Sequence, residues 1–184
     1  VVSGATLGAW DFVPHDAARR TESSRLGGSS FAIPLPTKPK PEPQALHAEM
    51  MEWEDRWQRA IEEGREEAAK EARARAERAR RWLGRLRHIP DSGLIPLHCA
   101  VHRLGDALWV TCGGEPYSLL QTELRRRFPD ETIFVSPLSG DMHVAYLLPK
   151  DRYGLGLYQE EPSIPAPGCL EAVIEAIADQ IAQV

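Results

Sequence analysis

Ala107-Leu108-Trp109-Val110-Thr111-Cys112 runs straight into Gly113-Gly114-Glu115-Pro116, and the reading of this junction decides the fold. A strand-like run empties into two glycines, one glutamate and a helix-favouring segment that starts at Pro116. The Glu115 carboxylate is thereby set at a strand-to-helix corner, where a side chain can face a pocket instead of packing in a core. Upstream of the junction, Leu97 to Leu104 is also strand-like, and Arg103-Leu104-Gly105-Asp106 predicts a tight hairpin between the two strands. Downstream, Ser118 to Phe128 predicts a helix, with Leu119, Leu120 and Leu124 apolar and Arg125-Arg126-Arg127 in its last turn, where cations suit the helix dipole. Thr132-Ile133-Phe134-Val135 predicts a short buried strand. After Pro165-Ala166-Pro167-Gly168, the spacing of Leu170, Val173, Ile174, Ile177 and Ile181 predicts an amphipathic closing helix. Strands alternating with helices give an α/β class: a layered mixed β-sheet flanked by helices, expected to be an incomplete domain.

The first half carries different signals. Residues 1 to 30 are Gly/Ser-rich with scattered charge and read as loop, or as structure that needs a missing partner. Ser30 to Pro36 is apolar but broken by prolines, the mark of an edge strand. Lys38 to Pro43 is a stiff extended connector. From Gln44 the steps between Leu46, Met50, Trp53, Trp57 and Ile61 predict an amphipathic helix whose stripe should pack on a sheet. Gly64 interrupts it. Arg65 to Arg81 is almost all Glu, Arg, Lys and Ala, which predicts a solvated helix laced with i,i+4 pairs. Trp82, Leu83 and Leu86 restore an apolar face before His88-Ile89-Pro90 ends the helix. The expected organisation is residues 1–43 as loop, edge strand and Pro-rich connector, 44–88 as a helical segment, and 89–184 as an α/β part.

At 184 residues the chain suits one domain, able to bury roughly two-thirds of its unfolded surface. A net charge of −5 gives no general attraction to nucleic acid. No run has the length of a transmembrane helix. Three widely spaced cysteines, Cys99, Cys112 and Cys169, do not make a complete disulfide framework. The chain opens on Val1 without a methionine and is read as a piece of a longer polypeptide.

On local features alone, Glu115 reads first as a helix-start carboxylate that satisfies backbone N–H groups. A phosphate loop does not fit, because GxxxxGK[ST] is missing and an acid at the corner repels phosphate. Tyr146 and Tyr158 read either as half-buried aromatics or as metal-site residues. In the second case one serves as a phenolate ligand and the other donates a hydrogen bond to a developing oxyanion. His98 and His102 share one face of a strand but lie roughly 13 Å apart, too far to share a metal. His143, three residues before Tyr146 in a loop with Gly140 and Asp141, is a candidate pocket residue. Cys112 has no identifiable activating base, and no Ser/His/Asp arrangement is legible.

From Leu97 onward the chain resembles the neutral/alkaline non-lysosomal ceramidases, in particular their bacterial ceramidase-like relatives. The resemblance rests on Cys112-Gly113-Gly114-Glu115-Pro116-Tyr117 at the corner and on Leu124-Arg125 in the following helix. It continues through Ala145-Tyr146-Leu147-Leu148-Pro149, Gly156-Leu157-Tyr158-Gln159-Glu160 and Ala166-Pro167-Gly168 with the last helix. Gly113 stands where proline is common, Gln159 where glutamate usually follows the second tyrosine, and His143 where many members carry another tyrosine. The resemblance implies zinc ligands at Glu115 and Tyr146 and a catalytic role for Tyr158. It also implies that the zinc histidines come from an upstream half of the same polypeptide, with Val2-Ser3-Gly4-Ala5 as the tail of one such segment. The implied activity is zinc-dependent hydrolysis of the amide bond of an N-acyl substrate, sphingolipids included, in a secreted or cell-envelope setting. The alternative is a non-catalytic ceramidase-like domain that binds or supports and has lost its metal site.

Overall fold

The computed structural model describes residues 14–184. Val2-Ser3-Gly4-Ala5 lies outside the described residues. The chain is α/β. A four-stranded mixed sheet runs in the order β1 (Leu26–Pro36), β2 (Leu94–Leu104), β3 (Ala107–Cys112) and β5 (Thr132–Ser136). β1 pairs antiparallel with β2, and β2 antiparallel with β3 through the hairpin turn at Gly105-Asp106. β5 instead lies parallel to β3. A parallel neighbour cannot be reached by a hairpin, and α4 (Leu119–Arg127) supplies part of the crossover.

Alternation along each strand sorts the side chains onto two faces. Ile33, Leu35, Ile95, Leu97, Val101, Leu108, Val110 and Ile133 point to one face, together with Cys99 and Cys112. There they meet Leu120 and Leu124 of α4 and Val173, Ile174, Ile177 and Ile181 of α5 (Cys169–Ile181). Each fully buried aliphatic side chain is worth about 1.5–3 kcal/mol, against ~0–1 kcal/mol for an exposed ion pair. This cluster therefore holds the sheet and its two helices together. The opposite face carries Ala32, His98, Trp109 and Phe134. Trp109 stacks on Phe134 with ring centroids 6.1 Å apart. The strand expected to be buried, Thr132 to Val135, is buried on one side only: it is an edge, and Phe134 is 40% exposed.

Residues 14–30 are more ordered than their composition suggests. A short helix, α1 (Ala17–Ser23), starts where the Asp16 carboxylate accepts from the Arg19 N–H at 2.7 Å. β1 then occupies the sheet edge, as its prolines require, since Pro34 and Pro36 have no N–H to donate to a second neighbour.

Between β1 and β2 the chain makes an antiparallel helical hairpin of α2 (Pro43–Glu62) and α3 (Glu66–Leu86). Gly64, at φ +67°, ends α2 in a left-handed cap; its N–H bonds the Ile61 carbonyl and the Arg65 N–H bonds the Ala60 carbonyl. The stripe Leu46, Met50, Trp53, Trp57 and Ile61 does not pack on the sheet as expected. Leu46 and Met50 pack with Ala79 and Trp82 of α3, Trp53 and Trp57 lie under its arginines, and Ile61 is 52% exposed; Ala72, Ala76 and Ala79 are buried and let the helices approach closely. The α3 face is therefore only partly solvated. Arg56 and Arg75 lie over the Trp53 ring and Arg73 over Trp57, so arginine planes cover aromatic surface that a sheet was expected to cover. Trp82 anchors the hairpin to the rest of the chain, its indole N–H donating to Glu161 at 2.6 Å. No helix among the described residues is long and apolar enough to cross a membrane.

Candidate functional site

Beyond Cys112 the chain leaves the sheet and is gripped by the loop that follows β5. The Gly113 N–H still donates to the His98 carbonyl at 3.0 Å, continuing the β2–β3 ladder by one rung. Gly114 then turns at φ +67°, a left-handed conformation that side chains disfavour. A Cβ there would also sit 2.9 Å from the Ala145 carbonyl oxygen and inside the Val144 side chain, so only glycine fits. The N–H groups of Gly114, Glu115 and Tyr117 donate to the carbonyls of Asp141, Ala145 and Leu147 at 2.9, 2.8 and 3.0 Å.

These bonds create a second, two-stranded sheet of β4 (Glu115–Pro116) and β6 (Tyr146–Leu147), running parallel. Glu115 is therefore not a helix-start carboxylate. It lies in a strand, while α4 begins at Leu119 after Ser118. The helix was expected directly after the corner because Pro116 suits a first turn; the pairing partner that claims Glu115 is thirty residues away and leaves no local signal.

Glu115 is in register with Tyr146, so the two side chains leave adjacent strands on the same side, with backbones about 4.8 Å apart. The Tyr146 ring meets the Tyr158 ring edge-on, with centroids 6.2 Å apart and planes at 71°. Glu115, Tyr146 and Tyr158, named from the sequence, thus form one group. Tyr158 is 72% exposed, so the group opens to solvent. Desolvation pushes the Tyr146 phenol above its ordinary value, and the neighbouring Glu115 carboxylate pushes it further by disfavouring a second negative charge.

His143 takes another course. Its backbone N–H donates to Asp141 at 3.2 Å, and its exposed ring packs against His88 with centroids 4.7 Å apart. His98 and His102 both lie on the sheet face away from the core, His102 with its ring against Trp109. Cys112 is buried; a hydrogen bond with Cys99 and then burial push its thiol far up, which removes it as a ready nucleophile.

Two features of the site were not anticipated. Ala145 adopts φ +55°, a left-handed conformation at a residue with a Cβ, immediately before Tyr146. Ser163 is fully buried, and its hydroxyl donates to the Tyr146 carbonyl at 2.8 Å. The Tyr153 hydroxyl adds a second layer, 3.4 Å from the Ser163 oxygen and donating to the Pro165 carbonyl at 3.1 Å. A lone serine amid Pro162, Ile164 and Pro165 was the available hint, because a hydroxyl inside an apolar run needs a partner.

The donor chemistry suits a cation in part. A carboxylate and a phenol whose ionisation that carboxylate disfavours are both oxygen ligands once a divalent cation lies between them. Among the described residues, no three His, Cys, Asp or Glu side chains come together to hold a metal ion. Comparison of the chain with protein-family models, with curated proteins and with solved structures returns no match.

Proposed function

We propose that this chain carries the oxygen-ligand portion of a zinc-dependent amidohydrolase, ceramidase-like, that cleaves the amide bond of an N-acyl substrate, sphingolipids included. The observation that supports this most is the register pairing of Glu115 with Tyr146, with Tyr158 edge-on to Tyr146 at the solvent-facing side. Glu115 and Tyr146 would hold the zinc, with histidines from an upstream part of the same polypeptide completing the set. When bound, zinc polarises the amide carbonyl and lowers the pKa of a water toward ~7. Tyr146 has to give up its phenol proton for both oxygens to act as ligands. Tyr158 donates its hydroxyl hydrogen to the oxyanion that develops as the amide carbon becomes tetrahedral. Ser163 fixes the backbone from which Tyr146 projects.

The test is metal analysis of the full-length protein alongside Glu115→Ala and Tyr146→Phe, with hydrolysis of N-acyl lipids and simple N-acyl amines in parallel. Loss of zinc in both variants, with Tyr158→Phe keeping zinc but losing about 10²–10³ in turnover, is the expected result. Unchanged zinc in both ligand variants rejects the assignment. Absence of both zinc and hydrolysis in the full-length protein is the outcome expected of a non-catalytic domain of the same kind.

A further inference from the structure

Cys99 and Cys112 face each other directly across the β2–β3 ladder. Because the Gly113 N–H bonds the His98 carbonyl at 3.0 Å, His98 and Gly113 are a hydrogen-bonded pair. Alternation along an antiparallel ladder then makes the next pair, Cys99 and Cys112, a non-hydrogen-bonded one. At such positions the Cα atoms approach to about 4.5 Å, within the roughly 4.4–6.8 Å that a disulfide spans. Both side chains lie on the core face, and their sulfurs are already 3.8 Å apart. Cys169, the third cysteine, is elsewhere, with its thiol against the Pro36 carbonyl at 3.4 Å.

We propose that Cys99 and Cys112 are a disulfide site, oxidised by exchange with a small-molecule disulfide of the glutathione class. The thiolate of one cysteine attacks a sulfur of the external disulfide, forming a mixed disulfide and expelling one small thiol. The second cysteine loses its proton and attacks the mixed disulfide at the protein sulfur, expelling the second small thiol. The protein loses two thiol hydrogens and gains the Cys99–Cys112 bond, while the external disulfide takes up two electrons and two protons. Burial keeps both thiols from reacting in the closed fold, so exchange takes place while the hairpin is open, during folding. Once formed, the bond ties the residue before Gly113-Gly114-Glu115 to a central strand of the sheet, so that the corner carrying Glu115 is cross-linked to its support.

The experiment refolds the chain from guanidinium in glutathione buffers from fully reduced to fully oxidised, acid-quenches it, and labels free thiols with a maleimide under denaturing conditions. The expected count falls from three labels to one, with a proteolytic peptide joining Cys99 to Cys112 and the remaining label on Cys169. Cys169→Ala goes from two labels to none, and either Cys99→Ser or Cys112→Ser keeps two labels throughout. In the oxidised form, amide hydrogen exchange at Gly113, Gly114 and Glu115 slows. Three labels at every redox poise, a stable glutathione adduct on either cysteine, or any cross-link that uses Cys169 overturns the proposal.

Discussion

Gly114→Ala is the sharpest probe of how the corner is held. The backbone there is at φ +67°, where an L-residue costs about 1–2 kcal/mol, while alanine returns ~0.4–1 kcal/mol by restricting the unfolded chain. The steric part adds to this. The new methyl would meet the Ala145 carbonyl oxygen at 2.9 Å and collide with Val144, which is fully buried and cannot swing into solvent. Overpacking of this kind costs about 1–3 kcal/mol, which brings the total to about 2–4 kcal/mol. Gly140→Ala is the matched control, because Gly140 also has a left-handed φ, +94°, but a Cβ there meets nothing within 4 Å. Guanidinium unfolding followed by circular dichroism reads the difference. With a slope of roughly 4 kcal/mol per molar, the Gly114 variant should lose about 0.5–1 M in midpoint, clearly more than the control. Equal losses in the two variants would refute the reasoning, since they would mean that Val144 and Ala145 do not collar the corner.

Ala145→Gly should do the reverse: relief of about 1–2 kcal/mol of left-handed strain against an entropy cost of ~0.4–1 kcal/mol gives a stabilisation of roughly 0.5–1 kcal/mol, measured by the same unfolding curves. A destabilised variant would show that the Ala145 methyl contributes packing that outweighs its strain. Arg103 and Glu131 form a two-pronged pair with bonds of 3.0 and 2.9 Å, largely withdrawn from solvent, and the Arg103 guanidinium holds the Glu131 carboxyl below its usual range. Because that pKa is lowered by folding, the pair's contribution is complete above the unfolded glutamate value of ~4.3 and is lost as pH falls through the folded value. Glu131→Gln should therefore cost about 1–2 kcal/mol at pH 7, with the gap to wild type shrinking on acidification toward pH 3; a gap independent of pH would remove the ion pair as its source.

How much of this was legible in the sequence depends on how far each feature reaches. The hairpin was legible because Gly105-Asp106 is a local turn signal, and the closing helix because its apolar spacing is local too. The cross-strand cysteines follow from the same turn: Cys99 stands five residues before Leu104 and Cys112 five after Ala107, so the hairpin register alone sets them opposite each other. Counting cysteines for a whole framework obscured a single pair. The α2 stripe was legible as apolar, but periodicity reports which face is hidden and not what hides it. Its cover came from Ala72, Ala76 and Ala79, small residues inside a charged run, together with arginine planes on tryptophan.

The site shows the same division at closer range. The conformation of Glu115 was misjudged, because a two-residue strand has no propensity of its own and exists only through bonds to Ala145 and Leu147. The same long-range pairing explains why the corner needs glycine at 114, tolerates strain at Ala145 and buries a serine at 163. Each residue fixes the height or angle at which β4 meets β6, and so the relation of the Glu115 carboxylate to the Tyr146 hydroxyl. Strain next to a tyrosine, with a buried hydroxyl pinning that tyrosine's carbonyl, is the pattern expected where the position of one side chain matters more than the stability of the loop that bears it.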